Sequence, residues 1–514
     1  MPLPGGEVAY HPQLAKAVEA MEAEVAPRWV VADLARDYPP LIEAGARLGR
    51  CRDLRLGERI LSRVEGHEPP AHVVAADPDA GTLFEREPEP VDGPAELTRL
   101  QAAWLDQRRR TVAAALTGLP TLLAAESAGG LVAAEMSRVG VPFDREVHDR
   151  LLRDLLGPRP SKGMRPRRLQ SLADKVTEAF GHQLNPDSTK QVLAAFHAAG
   201  LDVKTTHHWE LASVDHPAVE ALKVYREHAR VWSAFGWNWA DTWVGDAPGQ
   251  EGHRGRFRPV YMVGGADTGR WGTDGGGALQ LPHAVREAIR AEPGWKLVAA
   301  DAAQLEPRLL AAISGDEAMI AATAADDLYT ELAPRLGGER DKAKIALISA
   351  MYGGTSGDAA QLVALMRDRF PAAFDRVESA ASVGRHGGLV RTWLGRTVPA
   401  PSDRWWRSLN SDDGTKSAGQ RGRFTRNFIV QGTAAEWALI VLALLRRDLH
   451  EQGLGELVFF LHDEVMVHCP AERAPAVCRA IERAAEGATR TLFGEVPVRI
   501  PLRPKAVDSY AEAK

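Results

Sequence analysis

Cysteine is scarce. The 514-residue chain has only Cys51, Cys469 and Cys478, none of them in a C-x-x-C pair. That excludes a disulfide framework and argues against a structural zinc site. Surplus charge is small as well, because 63 Lys and Arg stand against 68 Asp and Glu, a net of -5. A surface for a polyanion therefore has to be a local basic patch. The first residues, MPLPGGEVAYHPQ, have neither the basic nor the apolar segment of a signal peptide. No apolar run stands out as long enough to cross a bilayer, so the expectation is a cytoplasmic protein with no membrane partner. A D-x-E triplet is missing before residue 120, which leaves a two-metal nuclease site there unsupported. The 45% hydrophobic and 25% charged content is that of an ordinary globular protein.

What is present concentrates in the second half. Leu457 to Cys469 reads LVFFLHDEVMVHC, two apolar runs flanking His462, Asp463 and Glu464. The pattern predicts a β-hairpin with acid at its tip, which by itself is only a solvated turn. Trp295 to Arg308 reads WKLVAADAAQLEPR. It predicts a buried strand over Lys296 to Ala300, Asp301 at its end, and a helix PRLLAAIS with Pro307 in its first turn. Asp301 there is either a cap for the turn or a metal ligand. Together, Asp301 and Asp463 are the carboxylate pair that two-metal phosphoryl transfer needs. Without thiol or imidazole clusters the ions are hard ones, magnesium or manganese.

A third stretch, GGERDKAKIALISAMYGGTSG from Gly337 to Gly357, predicts a helix bracketed by glycine pairs. Arg340, Lys344, Ile348 and Tyr352 are four apart and form one stripe about 18 Å long. Cations at the start and a ring at the end fit a nucleoside triphosphate lengthwise; otherwise this is an amphipathic surface helix with Tyr352 in the core.

The remainder is less informative. Arg28 to Asp33 and His72 to Asp77 read as short strands, with Asp33 and Asp77 as end caps, and Glu96 to Leu116 as a long helix. Gly157 to Lys175 carries six cations against Asp174 in a loop or helix corner, suited to a polyphosphate backbone or simply solvated. Asn185 to Ala199 is a further helix. Pro217 opens a longer one whose Val219, Leu222, Trp232, Phe235, Trp239 and Trp243 form a core-facing stripe. Tyr261 to Gly277 is a Gly-dense loop holding Thr268, Gly269 and Arg270.

These stretches resemble the family A DNA polymerases, the group of bacterial DNA polymerase I. DAAQLEPR resembles motif A, RDKAKIALISAMYG motif B and LHDE motif C. TGRWG precedes motif A, RNFIVQGTAAE precedes motif C, and LVAAEMSRVGVPFD (Leu131 to Asp144) resembles the start of a thumb, so the likeness spans roughly residues 121 to 514. The chain is similar to short actinobacterial or actinophage members.

The resemblance implies an α/β (α+β, multidomain) right hand. Its thumb covers 121–260 and its palm and fingers 261–514, with fingers about 316–415. Residues 1–120 resemble a reduced, inactive 3′–5′ exonuclease domain, so no proofreading is expected. It further implies that Asp301 and Asp463, with Ala302 beside them, hold two magnesium (or manganese) ions and that Glu464 is catalytic alongside. Arg340 and Lys344 grip the triphosphate, and Lys344 donates a proton to pyrophosphate. Tyr352 closes over the nascent pair, Glu306 excludes a ribose 2′-hydroxyl, and Gln304 and Ile348 complete the nucleotide site. Arg270, Arg423, Asn427, Gln431 and His462 touch primer or template. The implied partners are primer–template DNA and dNTPs, the expected state a nucleoid-associated monomer. Three departures bear on this: Ile348 replaces the family's aromatic residue, Ala302-Ala303 replaces Tyr-Ser, and Pro307 follows the gate glutamate. Two other readings share the motifs, a single-subunit RNA polymerase, against which Glu306 argues, and a catalytically decayed DNA-binding homologue.

Overall fold

The computed structural model describes residues 13–74, 93–245, 255–336, 338–353, 358–411 and 414–513. The chain divides into two compact units. The first comprises Met1–Val139, Val260–Asp274 and Val298–Ala506, the second Gly140–Pro259, Gly275–Leu297 and Val507–Lys514.

A four-stranded sheet organises the first unit: β1 (Trp295–Ala302), β2 (Glu456–Leu461), β3 (Glu464–Pro470) and β4 (Leu502–Val507), in the order β4-β1-β3-β2. Strands β2 and β3 form the expected antiparallel hairpin, with Glu464 opposite Leu461. Val298, Val458, Phe459, Met466 and Val467 are buried, as continuous apolar runs require when both faces of a strand are covered.

Six helices of this unit matter below: α1 (Leu119–Val139), α2 (Leu305–Ser314), α3 (Arg340–Tyr352), α4 (Pro371–Arg385), α5 (Gly414–Glu451) and α6 (Ala474–Phe493). Helix α5 is the spine and packs against α1, α2, α3, α4 and α6. One expectation is corrected here. An 18-residue window of α5, with mean hydropathy 1.9, is long and apolar enough to cross a membrane, yet 83% of it is buried inside the protein. Its apolarity is that of a helix surrounded by others.

Near the N-terminus, Arg28–Val31 pairs in parallel with Arg50–Asp53 and packs in one core with Leu34, Tyr38 and Leu131. The strand expected at 28–33 forms. That expected at 72–77 does not, since Ala71–Val74 is helical and residues 75–77 lie outside the described residues. Position 121, read from sequence as a segment boundary, falls inside α1, whose residues belong to the first unit. Helix α1 is held there by its packing on the Arg50–Asp53 strand and on α5.

The second unit is mainly helical, with Arg145–Leu156, Arg167–Phe180, Thr189–Ala198, Pro217–Phe235 and Trp237–Trp243. The last two were expected as one helix. Gly236 is extended there (φ -77°, ψ -168°) and separates them. A Cβ on Gly236 would lie 2.3 Å from the Trp232 carbonyl oxygen, so the break requires glycine. Trp239 is buried as expected and donates to the Gly276 carbonyl. Of the cationic loop, Arg159 pairs with Asp241, Arg165 with Asp187, and Arg168 donates to the Asp154 carbonyl. Lys162 and Arg167 remain exposed.

Candidate active site

Of the two acids singled out from sequence, one lies on a strand and the other in a hairpin turn of the same sheet. Asp301 is the penultimate residue of β1 and is exposed; Asp463 sits in the turn between β2 and β3. The Ala302 N–H donates to the Asp463 carbonyl at 3.0 Å, joining strand end to hairpin tip. The tip is tight. The Asp463 N–H donates back to the Leu461 carbonyl at 2.6 Å across His462, whose φ is +56°. That is the rare γ-turn with a left-handed central residue, a strained conformation of the kind found at functional sites.

Burial pushes the Asp463 carboxyl up to about 6, and the Asp301 charge pushes it the same way. Two carboxylates that oppose each other's ionisation invite a cation between them. Glu464, the first residue of β3, is buried at 2% exposure. Among the described residues no group of three or more His, Cys, Asp and Glu is arranged to hold a metal. The groups that Asp301 and Asp463 offer are carboxylate oxygens. This suits magnesium, which takes one or two carboxylates and completes its shell with water and substrate phosphates.

Helix α2 begins at Leu305, two residues before the expected start, and Pro307 falls within its first turn, where a missing N–H costs nothing. Gln304 precedes it with φ +49°. Its amide oxygen accepts from the Leu328 N–H and from Arg308, so this side chain, expected at the nucleotide, braces the strand-to-helix turn.

Four residues expected to meet nucleotide or DNA are already joined. Glu306 pairs with Arg270 through one carboxylate oxygen and accepts the Tyr352 hydroxyl on the other at 2.5 Å. Gln431 donates to the same hydroxyl at 3.2 Å. This network ties the end of α3 to α2, to α5 and to the Gly-rich hairpin 261–273. On α3, Arg340 and Lys344 are exposed and Ile348 and Tyr352 half-buried, while Ala343, Ala346, Leu347, Ala350 and Met351 are buried. Gly353 ends the helix in the left-handed conformation; Gly337 and Gly354 lie outside the described residues. Lys344 is exposed, whereas Arg340 pairs with Asp327 at 2.8 Å. On α5, Arg423 is exposed beside Gly353, and the Oδ1 of Asn427 is buried with no partner among the described residues. An orphaned acceptor of this kind asks for a ligand. His462 is exposed at the tip.

Sequence reasoning gave no role to Arg308. It is fully buried, and its guanidinium donates to the carbonyls of Ala303, Thr323, Ala325, Asp326 and Arg499. The signal was there: a lone cation inside the apolar helix LEPRLLAAIS. Glu436, inside the QGTAAE run, is also buried. Burial pushes it up to about 7, against the pull of Thr392 and the Leu394 N–H.

Residues 162–506 match the model of DNA polymerase family A. The chain is 26% identical over 417 residues to DNA polymerase I of Chloroflexus aurantiacus, covering 73% of this chain and 42% of that protein. It is 28% identical over 316 residues to the thermostable DNA polymerase I of Thermus aquaticus, covering 56% of this chain and 35% of that one. The chain thus spans less than half the length of these relatives. Its fold is that of the POL domain of Pol1 from M. smegmatis, solved in complex with DNA primer-template and dNTP. The TM-score is 0.75 at 18% identity, over 98% of this chain and 90% of the other.

Proposed function

The chain belongs to DNA polymerase family A, and on that premise we propose that it is a template-directed DNA polymerase without proofreading. The observation that carries this reading is the acid pair. Asp301, on β1, and Asp463, in the β2–β3 turn, are joined through the Ala302 N–H, which donates to the Asp463 carbonyl. The primer 3′-oxygen forms a bond to the α-phosphorus of a dNTP, the bond to pyrophosphate breaks, and the hydroxyl proton passes to solvent water.

Asp301 and Asp463 would hold two magnesium ions, with the Ala302 backbone between them. When bound, such ions supply charge neutralisation at the entering and leaving oxygens. The protein's own part is positioning. Lys344, exposed on α3, meets the leaving pyrophosphate and gives it a proton. Arg340 exchanges Asp327 for phosphate. Tyr352 and Glu306 border the sugar, and Asn427, Gln431, Arg423 and Arg270 receive the primer–template. Ile348 supplies an aliphatic wall where a ring would stack.

The thumb is residues 121–260, the fingers are about residues 316–415 including α3, and the palm is the rest of 261–514, with the sheet and α6. The first segment fits an inactive exonuclease remnant, because Asp33 and Asp53 are engaged in structure. Asp33 caps a helix and pairs with Arg55, and Asp53 accepts from the Leu34 and Leu56 N–H groups.

The test is primer extension by the wild type and by Asp463→Ala, with duplex binding measured in parallel. Extension with dNTPs that vanishes in the variant while binding persists supports the reading. Binding without any extension by the wild type favours the decayed homologue, and extension with rNTPs favours an RNA polymerase.

A further inference from the structure

Helix α3 carries the residues that meet the nucleotide, and its two ends are held very differently. Near its start Arg340 pairs with Asp327, the side chains 48% and 35% exposed, and lies over the Tyr329 ring. Its last turn is fixed by three side chains. Tyr352 is held by Glu306 of α2 and Gln431 of α5. The third hold comes from Arg426 of α5, which is 8% exposed. Its Nη1 donates to the Ala350 carbonyl at 2.9 Å, and its other amino group pairs with Glu378 of α4. Glu378 in turn receives Arg385 at 2.7 Å.

The Ala350 carbonyl is one of the last four in α3, which a helix leaves without an internal donor. A cation there also meets the negative end of the helix dipole. Arg426 thus supplies a donor to a carbonyl at the helix end and fixes the point about which α3 can tilt. Leverage makes the point sensitive. Arg340 lies ten residues, about 15 Å, from Ala350, so a tilt of about 4° moves it by about 1 Å. A displacement of that size carries the Arg340 guanidinium out of hydrogen-bond reach of a phosphate oxygen, which weakens nucleotide binding.

We propose that Arg426 is a positioning residue for nucleotide binding, setting the orientation of α3 through the Ala350 carbonyl with Glu378 as its own anchor. The inference rests on the polymerase reading above, and it adds a residue for which that reading has no use.

Two measurements on the full chain test it, one of them independent of catalysis. In the first, amide exchange of residues 347–352 is followed in the wild type, Arg426→Ala, Arg426→Lys and Glu378→Gln. The alanine variant should exchange there about tenfold faster, lysine less, and glutamine least because the carbonyl contact survives. In the second, dNTP KM should rise about tenfold in Arg426→Ala, with kcat and primer–template Kd within about twofold, and Arg426→Lys should recover part of the loss. Unchanged exchange in α3 overturns the proposal. So does a parallel fall in kcat and DNA binding with a lowered Tm, which marks a merely structural role. Should the wild type not extend primers, the polymerase reading fails, while the exchange pattern still decides whether Arg426 holds α3.

Discussion

The Ala302 N–H reaches the Asp463 carbonyl at 3.0 Å, so the backbone that presents one acid is bonded to the backbone that presents the other. The carboxylates are thereby built as a pair, one on β1 and the other in the turn between β2 and β3 of the same sheet.

Removing one member should abolish synthesis without unfolding the site. Asp463→Asn keeps the shape of the side chain and the backbone bond to Ala302. Single-turnover extension should fall by a factor on the order of 10³ or more, with duplex binding within about twofold. Retention of a tenth of the parent rate contradicts the role.

Cation binding should depend on pH in a set direction. Burial and the Asp301 charge raise the Asp463 carboxyl to about 6, so below that pH a proton occupies the position a cation needs. Manganese affinity, read from the paramagnetic resonance of the free ion, should fall about tenfold per pH unit below 6 and level off above 7. Asp301→Asn should shift the midpoint downward, because it removes the like charge. Affinity that is flat from pH 5 to 8 contradicts the pairing.

Glu306 holds Arg270 and Tyr352 at once. Glu306→Ala should therefore relax ribose exclusion and free both partners. The dNTP-over-rNTP ratio of kcat/KM should drop by roughly ten- to a hundredfold. An unchanged ratio removes Glu306 from sugar selection.

How much of this was legible beforehand differs by element. The hairpin, the strand ending in Asp301 and the stripe on α3 were all readable, because alternation and four-residue spacing report directly on local backbone. The connections were not. Nothing in the spacing of Gln304 says that its amide turns inward to Leu328 and Arg308. Nor does it say that Gly236 breaks the tryptophan-rich helix, since that depends on how close the Trp232 carbonyl comes. The membrane-like stretch of α5 was overlooked for the related reason that only packing tells a core helix from a spanning one. The segment 72–74 misled because a run of Val suits a strand by propensity, yet these residues fold as a helical turn.

Arg308 supplies the largest stability prediction. It feeds five backbone carbonyls from a fully buried site. Arg308→Met leaves those acceptors without their donor and should lower stability by about 3–5 kcal/mol in urea unfolding at constant m. A loss below about 1 kcal/mol means that other donors replace it.

The polymerase reading is tested most directly by incubating the wild-type protein with labelled primer–template and magnesium, in separate reactions with four dNTPs, four rNTPs or neither. Elongation with dNTPs alone, and an intact primer without nucleotides, is the expected result. A primer that stays at its original length in every reaction, or that shortens without nucleotides, contradicts a proofreading-free DNA polymerase built on Asp301 and Asp463.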